Sequence, residues 1–182
     1  MSDSYLQGQL LLSAGSLFDP NFRHTVVLIG QHNAEGALGV VLNRPSELTV
    51  AEAFPELASV VEAGERLFTG GPVRTHSAVL LAELESAEWA DVLVFGAIGF
   101  LVGDVSDDAK AAVRRARVFA GYAGWGAGQL EREMDEGSWI VEPARPEDVF
   151  GPDPESLWSE VLRRKGGRYA RLASMPFDPT MN

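Results

Sequence analysis

Thr25-Val26-Val27-Leu28-Ile29-Gly30-Gln31-His32-Asn33-Ala34-Glu35-Gly36-Ala37-Leu38-Gly39-Val40-Val41-Leu42-Asn43 is the segment on which the fold class turns. Its first five residues are β-branched or apolar, and residues 36–43 carry Leu38, Val40, Val41 and Leu42. Two strands, 25–30 and 36–43, therefore flank a hairpin loop at 32–36. Pro45 ends the second strand, because proline withholds a ladder donor and holds Arg44 extended. Upstream, residues 9–13 read as another strand. Downstream, Thr49-Val50-Ala51-Glu52 has capping-box spacing for a short helix that Pro55 interrupts.

Further along, residues 66–69 lead into the turn Gly70-Gly71-Pro72, and 78–81, 92–95 and 98–102 read as buried strands. Ser106 caps a helix of Ala109, Ala112, Val113 and Ala116, and residues 117–122 alternate like a strand. The run Gly121-Tyr122-Ala123-Gly124-Trp125-Gly126-Ala127-Gly128 is expected to turn the chain into a helix from Gln129 to Glu136, stopped by Gly137. Residues 138–141 return as a strand, and a last helix is expected from Pro154, capped by Asp153, to Gly166. Strands dominate the first half and alternate irregularly with helices later, which is the pattern of an α+β domain spanning 1–182.

Composition narrows the chemistry. The chain has no cysteine, so disulfides, thiolate catalysis and sulfur-ligated metals are excluded. Fifteen Lys and Arg against 26 Asp and Glu give a net charge of −11, which opposes non-specific attraction to nucleic acid. The opening Met1-Ser2-Asp3-Ser4 is acidic where a secretion signal is basic, and the longest apolar stretch, 92–103, is shorter than the roughly 20 residues of a membrane span. A cytoplasmic location without membrane association is the expectation.

No motif announces catalysis or a cofactor. His24, His32 and His76 lack the short spacing of metal ligands, no Gly-x-Ser-x-Gly elbow occurs, and the glycine run has neither dinucleotide nor P-loop spacing. Neither a metal nor another cofactor is expected. Glu131 and Glu133 sit in the first turn of the expected helix, where they complement its dipole, and Glu131 and Asp135 share a face that reads as solvated surface. Gly121, Tyr122, Gly124, Trp125, Gly126, Gly128 and Gln129 are read as a structural turn anchored by its two aromatic rings. Ligand contacts fall to Asp19, Asn43 and Arg44, polar residues at strand ends where loops carry function. Two basic clusters, Arg114, Arg115 and Arg117 and then Arg163, Arg164, Lys165, Arg168 and Arg171, are expected near helix C-termini, where cations complement the dipole.

Taken in order, Asp19-Pro20-x-Phe22-x-x-Thr25-Val26-Val27, Gly36-Ala37-x-Gly39-x-x-Leu42-Asn43-Arg44-Pro45, Gly70-Gly71-Pro72-Val73, Gly121-Tyr122-Ala123-Gly124-Trp125-Gly126-x-Gly128-Gln129-Leu130-Glu131 and Pro176-x-Asp178-Pro179-x-Met181-Asn182 resemble the AlgH/YqgE family of bacterial proteins. Ala127 stands where proline is common and Met181 where leucine is common. The resemblance implies a mixed, largely antiparallel branched sheet curled into a pseudo-barrel with flanking helices. It implies no catalytic residues, and a transcriptional-regulator-like role only by one member's name. The leading expectation is thus a non-enzymatic regulatory or binding protein with a protein or small-molecule partner. The alternatives are a small-molecule binder or enzyme with a pocket near Asn43 and Arg44, and a direct DNA-binding regulator, which the charge disfavours.

Overall fold

The hairpin at residues 25–43 forms in the computed structural model, which describes residues 5–14 and 24–174. β1 (Gln9–Ser13), β2 (Val26–Asn33) and β3 (Gly36–Val41) run antiparallel, with only Ala34 and Glu35 between the last two. Asn33 Oδ1 accepts from the Glu35 N–H at 2.8 Å and closes the turn. Leu10, Leu12, Val26 and Leu28 face one core, whereas Leu11, Val27 and Ile29 face another. Burial on both faces explains why these strands read as continuous apolar runs.

Beyond Asn43 the chain adds a short strand that apolar patterning did not reveal, β4 (Pro45–Thr49), and then α1 (Val50–Ala53). The capping box at the start of α1 is complete: Thr49 Oγ1 accepts from the Glu52 N–H at 3.1 Å, and Glu52 Oε1 accepts from the Thr49 N–H at 2.9 Å. β5 (Arg66–Thr69), β6 (Val73–Leu84), β7 (Val92–Phe95) and β8 (Ile98–Leu101) follow. Ser106 caps α2 (Asp107–Ala111), accepting from the Ala109 N–H at 3.1 Å. The remaining elements are β9 (Val113–Gly126), α3 (Gln129–Asp135), β10 (Trp139–Pro143), α4 (Pro146–Phe150), α5 (Leu157–Lys165) and α6 (Arg168–Leu172).

The strands join in the order β10-β1-β2-β3-β9-β6-β8-β7, and β9 is the branch point. One of its edges pairs with β6. The other takes β5 in parallel at Phe119 and Ala120, and then β3 antiparallel from Ala123 to Gly126. The branch is spliced by backbone bonds of Gly70, whose carbonyl accepts from Val41 N–H and whose N–H donates to Ala120 O, each at 2.9 Å.

The pseudo-barrel expectation is corrected here: the sheet is not closed. β2 and β7 lie far apart in strand order yet contact one another, so the sheet curves back on itself. What spans the gap is side-chain contact in place of a strand ladder. Gln7 Nε2 donates to Leu93 O at 2.6 Å, and the Phe100 ring fills the space where Gly30 has no Cβ. Among the described residues, β10 pairs only with β1 and β7 only with β8.

Other expectations shift with register. The glycine run is strand as far as Gly126, which pairs with Gly36, and only Ala127 and Gly128 turn into α3. Arg114, Arg115 and Arg117 belong to β9 instead of following a helix, because α2 ends at Ala111. The helix expected from Pro154 begins at Leu157, after a 3-10 turn at Pro154–Ser156, Asp153 makes no side-chain cap, and a further helix, α6, follows it.

Candidate ligand cleft

The curved sheet leaves an open cleft of about 250 Å³ between β2–β3 on one side and β7–β8 on the other, with β6 and β9 beneath. Two irregularities in the ladders shape it. Ile29 opposes Gly39 and Gln31 opposes Leu38, so Gly30 is the extra residue of a bulge, and its bare backbone admits the Phe100 ring. On the far side Val73 opposes Tyr122 and Ala78 opposes Ala120, so Arg74, Thr75, His76 and Ser77 leave the ladder opposite the single residue Gly121. Gly121 takes φ +76°, a left-handed conformation that glycine adopts without a Cβ clash, and Arg74 is itself at φ +50°.

The walls are Leu38, Val40, Val79, Val92, Phe100 and Val102, with Gln31 and Tyr122 as the polar side chains. Tyr122 is the sole ionisable side chain among the described residues of the walls. Its hydroxyl has no hydrogen-bond partner among the described residues, so the phenol presents an unused donor and acceptor in an otherwise apolar space. Leu38 is 43% exposed and Val102 61%, an unusual exposure for large aliphatic side chains grouped at one mouth.

The residues singled out from sequence lie elsewhere. Asn43 works as a backbone splint: Oδ1 accepts from the Val26 N–H at 3.1 Å, and Nδ2 donates to His24 O at 2.8 Å. Arg44 Nη2 donates to Thr25 Oγ1 at 2.7 Å, and burial holds its guanidinium below the usual arginine range. Neither lines the cleft, and Asp19 lies outside the described residues. Sequence reasoning assigned Tyr122 to a turn and passed over Gly30, Gln31 and Phe100. A lone glycine inside an apolar strand, as at position 30, is the signal that marks such a bulge.

Several titratable groups outside the cleft are held in structural contacts. His32 Nδ1 accepts from the Leu6 N–H at 3.0 Å, which leaves its proton on Nε2 to be donated to Glu131 Oε2 at 3.1 Å. Glu133 Oε1 accepts from the indole N–H of both Trp125, at 3.0 Å, and Trp139, at 2.8 Å, while Oε2 accepts from Gln129 Nε2 at 3.0 Å. Arg117, buried within β9, donates to the carbonyls of Val149 at 2.7 Å and Gly151 at 2.9 Å, and desolvation pushes its pKa down. Arg164 grips Asp148 through both Nη atoms at 2.8 and 3.0 Å, a contact that raises its pKa. Among the described residues, no three His, Asp or Glu side chains come together as a metal set.

Residues 10–170 match the family model described as AlgH-like. The chain belongs to the AlgH/YqgE family. A UPF0301 protein of Streptomyces coelicolor is 45% identical to it over 186 residues, covering 98% of this chain and 96% of the relative. A UPF0301 protein of Mycolicibacterium smegmatis is 40% identical over 181 residues, covering 96% and 90% respectively. Among solved structures, a Corynebacterium diphtheriae protein superposes with a TM-score of 0.85 at 28% identity, over 96% of this chain and 95% of that one. The AlgH protein of Pseudomonas aeruginosa superposes with a TM-score of 0.70 at 30% identity, over 97% of both chains. The AlgH/YqgE match runs through β2, β3, β6, β7, β8 and β9, the strands that build the cleft. No helix of the described residues is long and apolar enough to cross a membrane.

Proposed function

We propose that this AlgH/YqgE-family protein is a non-enzymatic binding protein whose ligand occupies the cleft over Phe100 and Tyr122. The observation that carries the reading is the composition of the walls: large aliphatic and aromatic side chains, an unpartnered phenol and an amide, with no carboxylate, imidazole or amine among the described lining residues. A phenol can act as an acid, base or nucleophile, but efficient catalysis pairs such a group with an activating neighbour, and Tyr122 has none among the described residues of the cleft. Recognition needs no such neighbour, because apolar walls with a few placed polar atoms are what small-molecule sites present. Size limits the ligand. A dry cavity of roughly 150 Å³ accepts benzene, so about 250 Å³ suits one substituted aromatic ring or a short acyl group.

The test is a fragment titration followed by the methyl resonances of Leu38, Val40, Val79 and Val102. Substituted aromatic or short acyl fragments bearing one hydrogen-bond acceptor should shift them saturably. Ala78→Phe, which adds a ring from an exposed position on the wall, should abolish the shifts while leaving the unfolding midpoint nearly unchanged. No saturable shift from any fragment, or undiminished binding by Ala78→Phe, would overturn the reading.

A further inference from the structure

A second concavity, about 750 Å³, lies where α5 and α6 meet β10, at the end of the sheet opposite β7. Ile140 and Leu172 give it apolar surface, and Lys165, Arg168 and Arg171 line it with positive charge. In a chain of net charge −11, three cations gathered in one groove are a local reversal of the overall field. Lys165 is already held, its Nζ donating to Val141 O at 2.9 Å and standing 3.5 Å from Glu142 Oε1. The arginines are not neutralised. Arg168 donates to the Tyr169 hydroxyl at 3.0 Å, and neither it nor Arg171 has a carboxylate partner among the described residues. Their spacing of three along α6 puts both guanidinium groups on one side of that helix.

We infer that this groove binds a medium-chain carboxylate, with its alkyl chain along Ile140 and Leu172 and its head group between Arg168 and Arg171. The head follows from the guanidinium fork, which matches the two oxygens of a carboxylate. The aliphatic body follows from the state of the groove's partly buried ring, Tyr169. Lys165 Nζ and the Arg168 guanidinium each stand 5.0 Å from the centroid of Tyr169, so this ring is engaged by the protein's own cations and is poorly placed to stack a nucleobase.

Calorimetry and methyl NMR of the full chain with decanoate, kept below its micellar concentration, test the inference against decanol, butyrate and inorganic phosphate. Decanoate should saturate one site and shift the methyls of Ile140 and Leu172. Decanol, butyrate and phosphate should each bind at least tenfold more weakly, because each lacks the head or the chain. Arg168→Gln with Arg171→Gln should weaken decanoate at least tenfold at an unchanged unfolding midpoint, since both side chains are exposed, and fragment binding at the Phe100–Tyr122 cleft should be unaffected. Decanol or phosphate equalling decanoate, wild-type affinity in the double variant, or decanoate shifts confined to Leu38, Val40 and Val79 would each overturn it. Only the last of these outcomes would assign decanoate to the first cleft.

Discussion

The same concave sheet face is finished in two ways. Where β2 begins, α5 lays Leu157, Trp158, Val161 and Leu162 into the core cluster that holds Leu10, Leu12, Val26 and Leu28. Trp158 Nε1 donates to Ser13 O at 3.0 Å, and the His24 ring stacks on the indole at 3.9 Å. Further along β2, at the Gly30 bulge, no described helix lies across the face, and Leu38, Phe100, Val102 and Tyr122 surround open space. The two ends share a backbone frame and differ in what covers it. A helix with an apolar stripe turns one end into core, whereas the uncovered apolar surface at the other is available to a ligand.

The sharpest way to break that contrast is at the covered end. Trp158 is 3% exposed, so Trp158→Ala should cost about 3–5 kcal/mol through the cavity it leaves and the orphaned Ser13 carbonyl. Urea denaturation measures it, and a loss below about 1 kcal/mol would show that α5 is not part of the core.

The opposite, convex face offers a second measure. Trp125 is 7% exposed, meets Trp139 edge-on at 6.1 Å and donates to Glu133. Trp125→Ala should cost about 3 kcal/mol, the lower end of the range for large aromatic truncations, because Trp139 keeps its own bond to Glu133. An unchanged midpoint together with the loss of a binding partner would make Trp125 a recognition residue and remove it from the framework.

At the open end, Phe100→Ala should cost only about 1–2 kcal/mol, since one side of the ring already faces space and a half-buried side chain forfeits fewer contacts. Its effect on fragment binding should be larger, at least tenfold in the methyl-shift titration. If instead stability fell as far as in Trp158→Ala with binding intact, the two ends would be equivalent in kind.

The covered end was far more legible in the sequence than the open one. Local rules located the hairpin, the Thr49–Glu52 capping box, the Ser106 cap and the helix that carries Trp158, because each depends on residues within a few positions of one another. The cleft depends on pairings between distant segments: Gly30 receives a ring from position 100, and Tyr122 faces the space because Arg74–Ser77 leave the ladder opposite Gly121. Periodicity reveals that a segment is a strand but not which strand it meets or where the register slips. Glycines 124 and 126 looked like a loop for the same reason, since their strand character follows from their partners Leu38 and Gly36 on β3. Asn43 and Arg44 drew attention as polar residues at a strand end. Asn43 bonds the His24 carbonyl and the Val26 N–H, and Arg44 bonds the Thr25 hydroxyl, so each has a partner within the fold at that strand end.

The finest test of the open end removes one atom. Tyr122→Phe deletes a hydroxyl that makes no hydrogen bond within the described chain, so no buried partner is stranded and stability should stay within about 0.5 kcal/mol of wild type. Among the described residues of the cleft the same atom is the only hydroxyl available to a ligand's acceptor. A net hydrogen bond contributes about 0.5–1.5 kcal/mol, so acceptor-bearing fragments should bind roughly two- to tenfold more weakly, while purely apolar fragments of equal size should keep their affinity. Comparing the two fragment classes separates recognition from architecture. If both weakened equally, the hydroxyl would be acting through the shape of the wall; if neither changed, the ligand would lie against Phe100 without reaching Tyr122, and the polar contact would pass to Gln31 on the opposite side.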